Sequence, residues 1–340
     1  MFDVITIGSV IRDIIFKIDK IIIPNQKKIN SGKSPIICFR YGAKINPEEA
    51  YFLFGGGANN VATALSRLKI KTAIFSRIGL DGTGQLIVDQ LKKEGVNTDL
   101  IQIDKKLHTA LSFIIVGRYG ERTIFPYAGA SGNLELKSQK LIKKIIQTKW
   151  FYLTTLRNNS QKILPKICQL IKKNKIKLFF NPGNTELENI NKNLLSIIKL
   201  TDILLLNKEE SLKLLNYNSF VQKKFDYCRI LKDIKNLGPK IVILTDGDKG
   251  AWTIDEKKYY FARPYPIKVL EKTGAGDSFG AGFLAGYLHF NQIEKALILA
   301  SLNSASVIAD IGSTKGLLTF AQAKKLIKKN NNLVSVKDIN

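Results

Sequence analysis

Acidic residues are scarce in this chain: 28 Asp and Glu stand against 53 Lys and Arg, a formal net charge of +25 over 340 residues. Histidine is scarcer still, and with only His108 and His289 a histidine-based metal site is disfavoured. Three cysteines (Cys38, Cys168, Cys228) are far apart and odd in number, which argues against a disulfide framework and suits reduced thiols in the cytoplasm. No stretch reads as a membrane span; the 16 uncharged residues from Ser278 to Ile293 contain Gly, His, Asn and Gln. A basic lead-in is missing before Phe2–Gly8, so that segment, with Asp3 inside it, reads as a first buried strand rather than a secretion signal. Internal repeats and low-complexity linkers are missing too.

What is present is enough apolar material, 45% of residues, for an ordinary globular core, in one large α/β domain or two smaller ones. The positive charge admits a nucleic-acid reading. Its lysines, however, fall in scattered pairs on helical segments (143–144, 172–173, 223–224, 324–325, 328–329), and no basic groove interleaved with aromatics is evident. Solvated helix faces are the better account, and the charge would speed encounter with anionic nucleotides.

Apolar strand-like runs at Val4–Ile7, Thr72–Ser76, Trp150–Thr154, Lys177–Asn181, Ile203–Leu206 and Ile241–Thr245 alternate with helical patterns. That alternation predicts a mainly parallel central sheet covered on both faces. Helices are expected near 58–68, 84–94, 138–147, 162–173, 209–216 and 225–237, then at 276–288, 292–310 and 320–329. Two extended stretches break the pattern, Ile14–Phe54 and a hairpin within Ile101–Tyr127 around residues 118–121; they could pair into a small accessory sheet. The organisation expected is one unit over 1–330, with inserted segments at about 14–54 and 101–127, and a frayed tail over 331–340.

The densest chemistry lies in Glu271-Lys272-Thr273-Gly274-Ala275-Gly276-Asp277, where an apolar strand-like run (Ile267–Leu270) meets a helix. A helix start offers unpaired N–H groups and partial positive charge, and small residues let an anion approach closely. Asp277 in the same turn is placed to take a proton. In isolation, a tight turn with an ordinary first-turn carboxylate would be the better account. Upstream, however, Gly55-Gly56-Gly57-Ala58-Asn59-Asn60 also opens a helix. Asp13 lies just after the first strand, Asn207-Lys208-Glu209-Glu210 follows another, and Thr245-Asp246-Gly247-Asp248-Lys249-Gly250 follows a third. Two tempting motifs fail. Gly32-Lys33-Ser34 lacks the earlier glycine of a phosphate-binding P-loop, because Lys27 occupies that place, and the spaced glycines 274, 276 and 280 do not open a βαβ unit as a dinucleotide fingerprint should.

Together these segments, in this order from Gly8 to about Gly316, resemble the ribokinase-like (PfkB) family of carbohydrate and nucleoside kinases. The resemblance implies a three-layer α/β sandwich with the small sheet as a lid. It implies transfer of the γ-phosphoryl group of ATP to a hydroxyl of a small sugar-type acceptor. Asp277 would be the base, and the N–H groups of Gly274, Ala275 and Gly276 the anion hole. Asp13, Gly56 and Asn60 would bind the acceptor; Asn207, Thr245, Gly247, Gly250 and Asn303 the nucleotide; Glu210 a Mg²⁺ through water. Arg77–Gly84 reads mainly as architecture, Asp81 capping a helix. Where several members carry Asp-Thr for a monovalent cation, this chain has Glu271-Lys272, which puts activation by such a cation in doubt. The expected partners are ATP and the small-molecule acceptor, with neither nucleic acid nor membrane; the lid edges are a place where two copies could pair as a homodimer. The alternatives are a nucleoside kinase, or a catalytically silent relative that only binds.

Overall fold

The computed structural model describes residues 1–18, 38–117, 122–217 and 225–339. The chain begins with β1 (Phe2–Ile7), β2 (Ile11–Lys17), β3 (Glu49–Gly55), α1 (Gly57–Arg67) and β4 (Thr72–Phe75). Then come β5 (Arg77–Gly79), α2 (Gly82–Lys93), β6 (Gln102–Asp104), β7 (Leu111–Val116) and β8 (Arg122–Tyr127). A regular alternation follows: α3 (Gln139–Ile145), β9 (Thr148–Leu153), α4 (Leu164–Asn174), β10 (Lys177–Phe180), α5 (Asn184–Leu187), α6 (Lys192–Lys199), β11 (Ile203–Asn207), α7 (Lys208–Leu214), α8 (Tyr227–Lys235) and β12 (Ile241–Thr245). The last part holds β13 (Ala251–Ile254), β14 (Lys258–Ala262), α9 (Ala275–Phe290), α10 (Ile293–Ile308), α11 (Phe320–Lys329) and β15 (Val334–Asp338).

The main sheet runs β15-β14-β13-β12-β11-β10-β9-β1-β4. From β4 to β12 it is parallel, and from β12 to β15 antiparallel. Successive side chains of a strand point to opposite faces, so a sheet covered on both sides needs continuous apolar strands. Trp150 and Tyr152 of β9 pack with α1, α9 and α10 around Leu65, Phe283 and Leu297. Phe151 and Leu153 of the same strand pack with α4, α6 and α8 around Ile167, Ile197 and Ile234. The result is three layers: helices, sheet, helices.

A separate four-stranded sheet, β3-β2-β7-β8, carries the extended stretches, as expected. It starts earlier than expected, at Ile11, so Asp13 sits inside β2, paired with Leu53 and Ser112, and is not a strand-end turn residue. Residues 102–104 leave this sheet and pair with β5. The Gly32-Lys33-Ser34 motif, Lys223-Lys224 and the hairpin tip at 118–121 lie outside the described residues.

Two expectations need correcting. Ile267–Leu270 is no strand: the segment is irregular, with the N–H groups of Leu270 and Glu271 both directed at the Ile308 carbonyl, 2.8 and 3.2 Å away. The tail is not frayed over 331–340 either. β15 pairs with β14 from Val334 to Asp338, and Ile339 packs against the core. The described lysine pairs 143–144, 172–173 and 328–329 are exposed in the last turns of their helices, where the helix dipole favours cations, and 324–325 is exposed in the middle of α11. Among the described residues no helix is long and apolar enough to cross a membrane.

Candidate active site

The turn into α9 is shaped by its neighbours. Gly274, the residue before the helix, has φ +79°, and a Cβ there would sit 2.6 Å from the Ser313 Cβ, so both conformation and space demand glycine. Ser278 Oγ donates back to the Gly274 carbonyl at 2.8 Å, and Ser304 Oγ of α10 donates to the Ala275 carbonyl at 3.0 Å. These bonds hold the first turn rigid. The expected trio of N–H donors is corrected in one member: Ala275 N–H closes onto the Lys272 carbonyl at 3.3 Å. The N–H groups of Gly274, Gly276 and Asp277 have no hydrogen-bond partner among the described residues. Gly276 is exposed, and a Cβ on it would meet nothing within 4 Å.

Asp277 is oriented from the other end of the chain. Asn60 Nδ2 donates to Asp277 Oδ2 at 2.8 Å, while Asn60 Oδ1 accepts from Ser313 Oγ at 2.8 Å. Asn60 therefore orients the Asp277 carboxyl, with one of its two amide protons engaged. Desolvation pushes the Asp277 carboxyl above the usual carboxylate range, against the opposing effect of the Asn60 hydrogen bond. Beneath it the buried Tyr152 hydroxyl has no hydrogen-bond partner; burial, then the Asp277 charge, raise its pKa well above that of a free phenol. Gly56, with φ +95°, lets the entry to α1 pass against the Ser9 carbonyl, which a Cβ would approach to 2.5 Å. Its role is in the backbone.

Asn207 and Glu210 form a reciprocal cap at the start of α7: Glu210 N–H donates to Asn207 Oδ1 at 2.9 Å, and Asn207 N–H to Glu210 Oε2 at 2.8 Å. The motif thus serves as a helix start. Glu210 is nevertheless buried, and its carboxyl is pushed up to about 7, first by desolvation and further by the charges of Asp277 and Glu209. No cluster of three His, Cys, Asp or Glu side chains able to hold a metal occurs among the described residues. A lone carboxylate such as Glu210 could meet a hydrated divalent ion only through its water shell.

Two cavities border the same loop. One, of about 150 Å³, is lined by Thr245, Gly247, Gly250, Ala275, Gly276 and Ser304, among others. Three of the expected nucleotide residues therefore meet the anion cradle. Asn303 does not: it is fully buried, its Nδ2 donates to the Ser278 carbonyl at 2.8 Å, and its Oδ1 accepts from Leu318 N–H at 3.1 Å. Asn207 does not line the cavity either. The other cavity, of about 470 Å³, lies between the small sheet and residues 269–272. Near it Asp13 is raised to about 6, chiefly by desolvation, with the Glu271 charge adding to the effect and a Ser112 hydrogen bond opposing it. Sequence reasoning missed Ser313, Tyr152 and Ser304, because their placement depends on contacts far apart in the chain. Arg122, at the start of β8, reaches Thr273 Oγ1 at 2.5 Å.

The profile described as pfkB family carbohydrate kinase matches residues 1–319. The chain is 27% identical to a 5-dehydro-2-deoxygluconokinase of Clostridium botulinum, over 81% of this chain and 84% of that protein. It is 25% identical to a ribokinase of Haemophilus influenzae, over 82% and 88%. In fold it is similar to Arabidopsis thaliana ribokinase complexed with ribose and ATP (TM-score 0.81, 21% identity, 96% and 99% covered). A Methanocaldococcus jannaschii nucleoside kinase superposes with a TM-score of 0.77 at 21% identity, covering 97% and 99%. The chain belongs to the pfkB family of ATP-dependent carbohydrate kinases.

Proposed function

We infer that this kinase moves the γ-phosphoryl group of ATP from a nucleotide in the smaller cavity to a sugar hydroxyl in the larger one. The observation carrying this reading is that one loop borders both: Glu271 and Lys272 line one cavity, Ala275 and Gly276 the other. Asp277 takes the hydroxyl proton as the acceptor oxygen bonds to phosphorus and the bond to the β-phosphate oxygen breaks, releasing ADP. The free N–H groups of Gly274, Gly276 and Asp277 hold the charge of the transferring group. Asp13 pairs acceptor hydroxyls. Thr245, Gly247 and Gly250 border the nucleotide. Glu210 would hold a Mg²⁺ through water, and the ion would neutralise phosphate charge when bound. A sugar is favoured over a nucleoside by the small sheet: Phe16, Phe113 and Phe125 pack edge-on and tilted against one another on the face turned away from the cavity, which among its described lining residues has Tyr51 as its aromatic ring. Asp277→Asn is expected to lower turnover by about 10²–10⁴-fold with ATP binding retained. ADP release measured over a panel of sugars, sugar phosphates and nucleosides tests this; near-normal turnover in the variant would remove Asp277 from the role, and an unreactive panel would favour a silent binder.

A further inference from the structure

Cross-strand partners share a face of a sheet, so the register of the small sheet sorts its cavity side into rows. Asp13, Leu53 and Ser112 form one row; Ile15, Tyr51 and Ile114 the next; Lys17, Val116 and Arg122 the third. Along β2 the carboxyl row and the cationic row lie about 13 Å apart. The cationic end is not fully neutralised. Lys17 pairs with Glu49 at 3.3 Å. Arg122 Nη1 donates to Thr273 Oγ1 and lies 3.8 Å from Glu271 Oε1, while its Nε and Nη2 have no hydrogen-bond partner among the described residues. Glu271 is drawn the other way, accepting from Gly312 N–H through Oε2 at 2.8 Å. Lys272 lines the same cavity and makes no ion pair among the described residues.

We propose that the acceptor carries an anionic oxygen group, a carboxylate or a phosphate ester, remote from its reacting hydroxyl, and that Arg122 and Lys272 receive it. The inference rests on the kinase reading and narrows it. A guanidinium whose Nε–Nη2 edge is unused matches such a group in planar, two-pronged fashion, and Lys272 adds a point charge beside it. A neutral polyol can accept hydrogen bonds from both but gains nothing from pairing with their charge. The test is ADP release and equilibrium binding with D-gluconate, D-fructose 6-phosphate and neutral D-fructose as probes, on the wild-type protein, Arg122→Gln and Lys272→Gln. At least one anion should exceed D-fructose by about 10-fold or more in kcat/KM and in affinity, and each variant should bring that ratio back toward 1, as loss of a charged hydrogen bond does. The two anions separate carboxylate from phosphate. The ratio is the readout because general damage to the lid lowers all three probes together. Equal use of D-fructose, or variants that keep the ratio, overturns the proposal and leaves the kinase reading standing. An absence of ADP release with every acceptor overturns both.

Discussion

At the scale of single residues, the site concentrates carboxyl groups in a place that does not solvate them. Glu210 shows the consequence for pH. Its folded pKa of about 7 lies above the usual value for glutamate, so between the two values the folded state holds a proton that the unfolded state has lost. Stability without metal therefore falls as pH rises through about 4.5 to 7, and above that range the cost, at most about 3 kcal/mol, is complete. Glu210→Gln should remove this portion of the slope and raise neutral-pH stability, while demanding more Mg²⁺ for half-maximal rate. Melts from pH 5 to 8, compared with wild type, and a Mg²⁺ titration check both; parallel slopes would reduce Glu210 to a helix cap. Tyr152 offers a simpler case. Its hydroxyl is buried without a partner, so Tyr152→Phe should be neutral or stabilising by up to about 1 kcal/mol. A lower melting temperature would show that the hydroxyl is bonded after all.

At the scale of elements, the turn into α9 separates two kinds of glycine. Gly274→Ala meets Ser313 and a left-handed backbone, so it should destabilise the fold by about 1–3 kcal/mol. Gly276→Ala meets nothing, so stability should hold while the methyl group intrudes where the transferring phosphoryl would sit, raising the KM for ATP and lowering kcat. Denaturation curves beside kinetics separate the two; equal stability losses would refute the distinction. The sequence made the parallel strands legible because burial on both faces leaves unbroken apolar runs, and Ile241–Thr245 and Phe320–Lys329 coincide with their predictions. It misled at Ile267–Leu270, which is apolar yet exposed, with Leu270 at 58%. It hid β13, β14 and β15: β13 is only four residues long, and β14 and β15 carry Lys among apolar residues, as suits the rim of a sheet. Asn303 failed for a geometric reason: Ser301 and Ser304, one helical turn apart, line the cavity, and the position between them faces the interior. Asp277 was legible from its motif; the partner that orients it was named, but for another role.

At the scale of the molecule, the antiparallel end of the main sheet depends on its last strand. Removing residues 334–339 would unpair Lys258 to Ala262 and leave an edge containing Tyr259, Tyr260 and Phe261, where β15 now presents Lys337 and Asp338. Such a truncation should lower the melting temperature and promote aggregation, as light scattering during heating would show; unchanged behaviour would make β15 dispensable. The Asn60–Asp277 bond has a kinetic counterpart. It joins positions 217 residues apart, so the Asp277 carboxyl acquires its orientation only when α1 and α9 have docked. Loop closure over such a separation is slow compared with helix formation. A refolding chain should thus regain far-ultraviolet ellipticity before it regains turnover, and the interval between the two signals times the meeting of its distant halves.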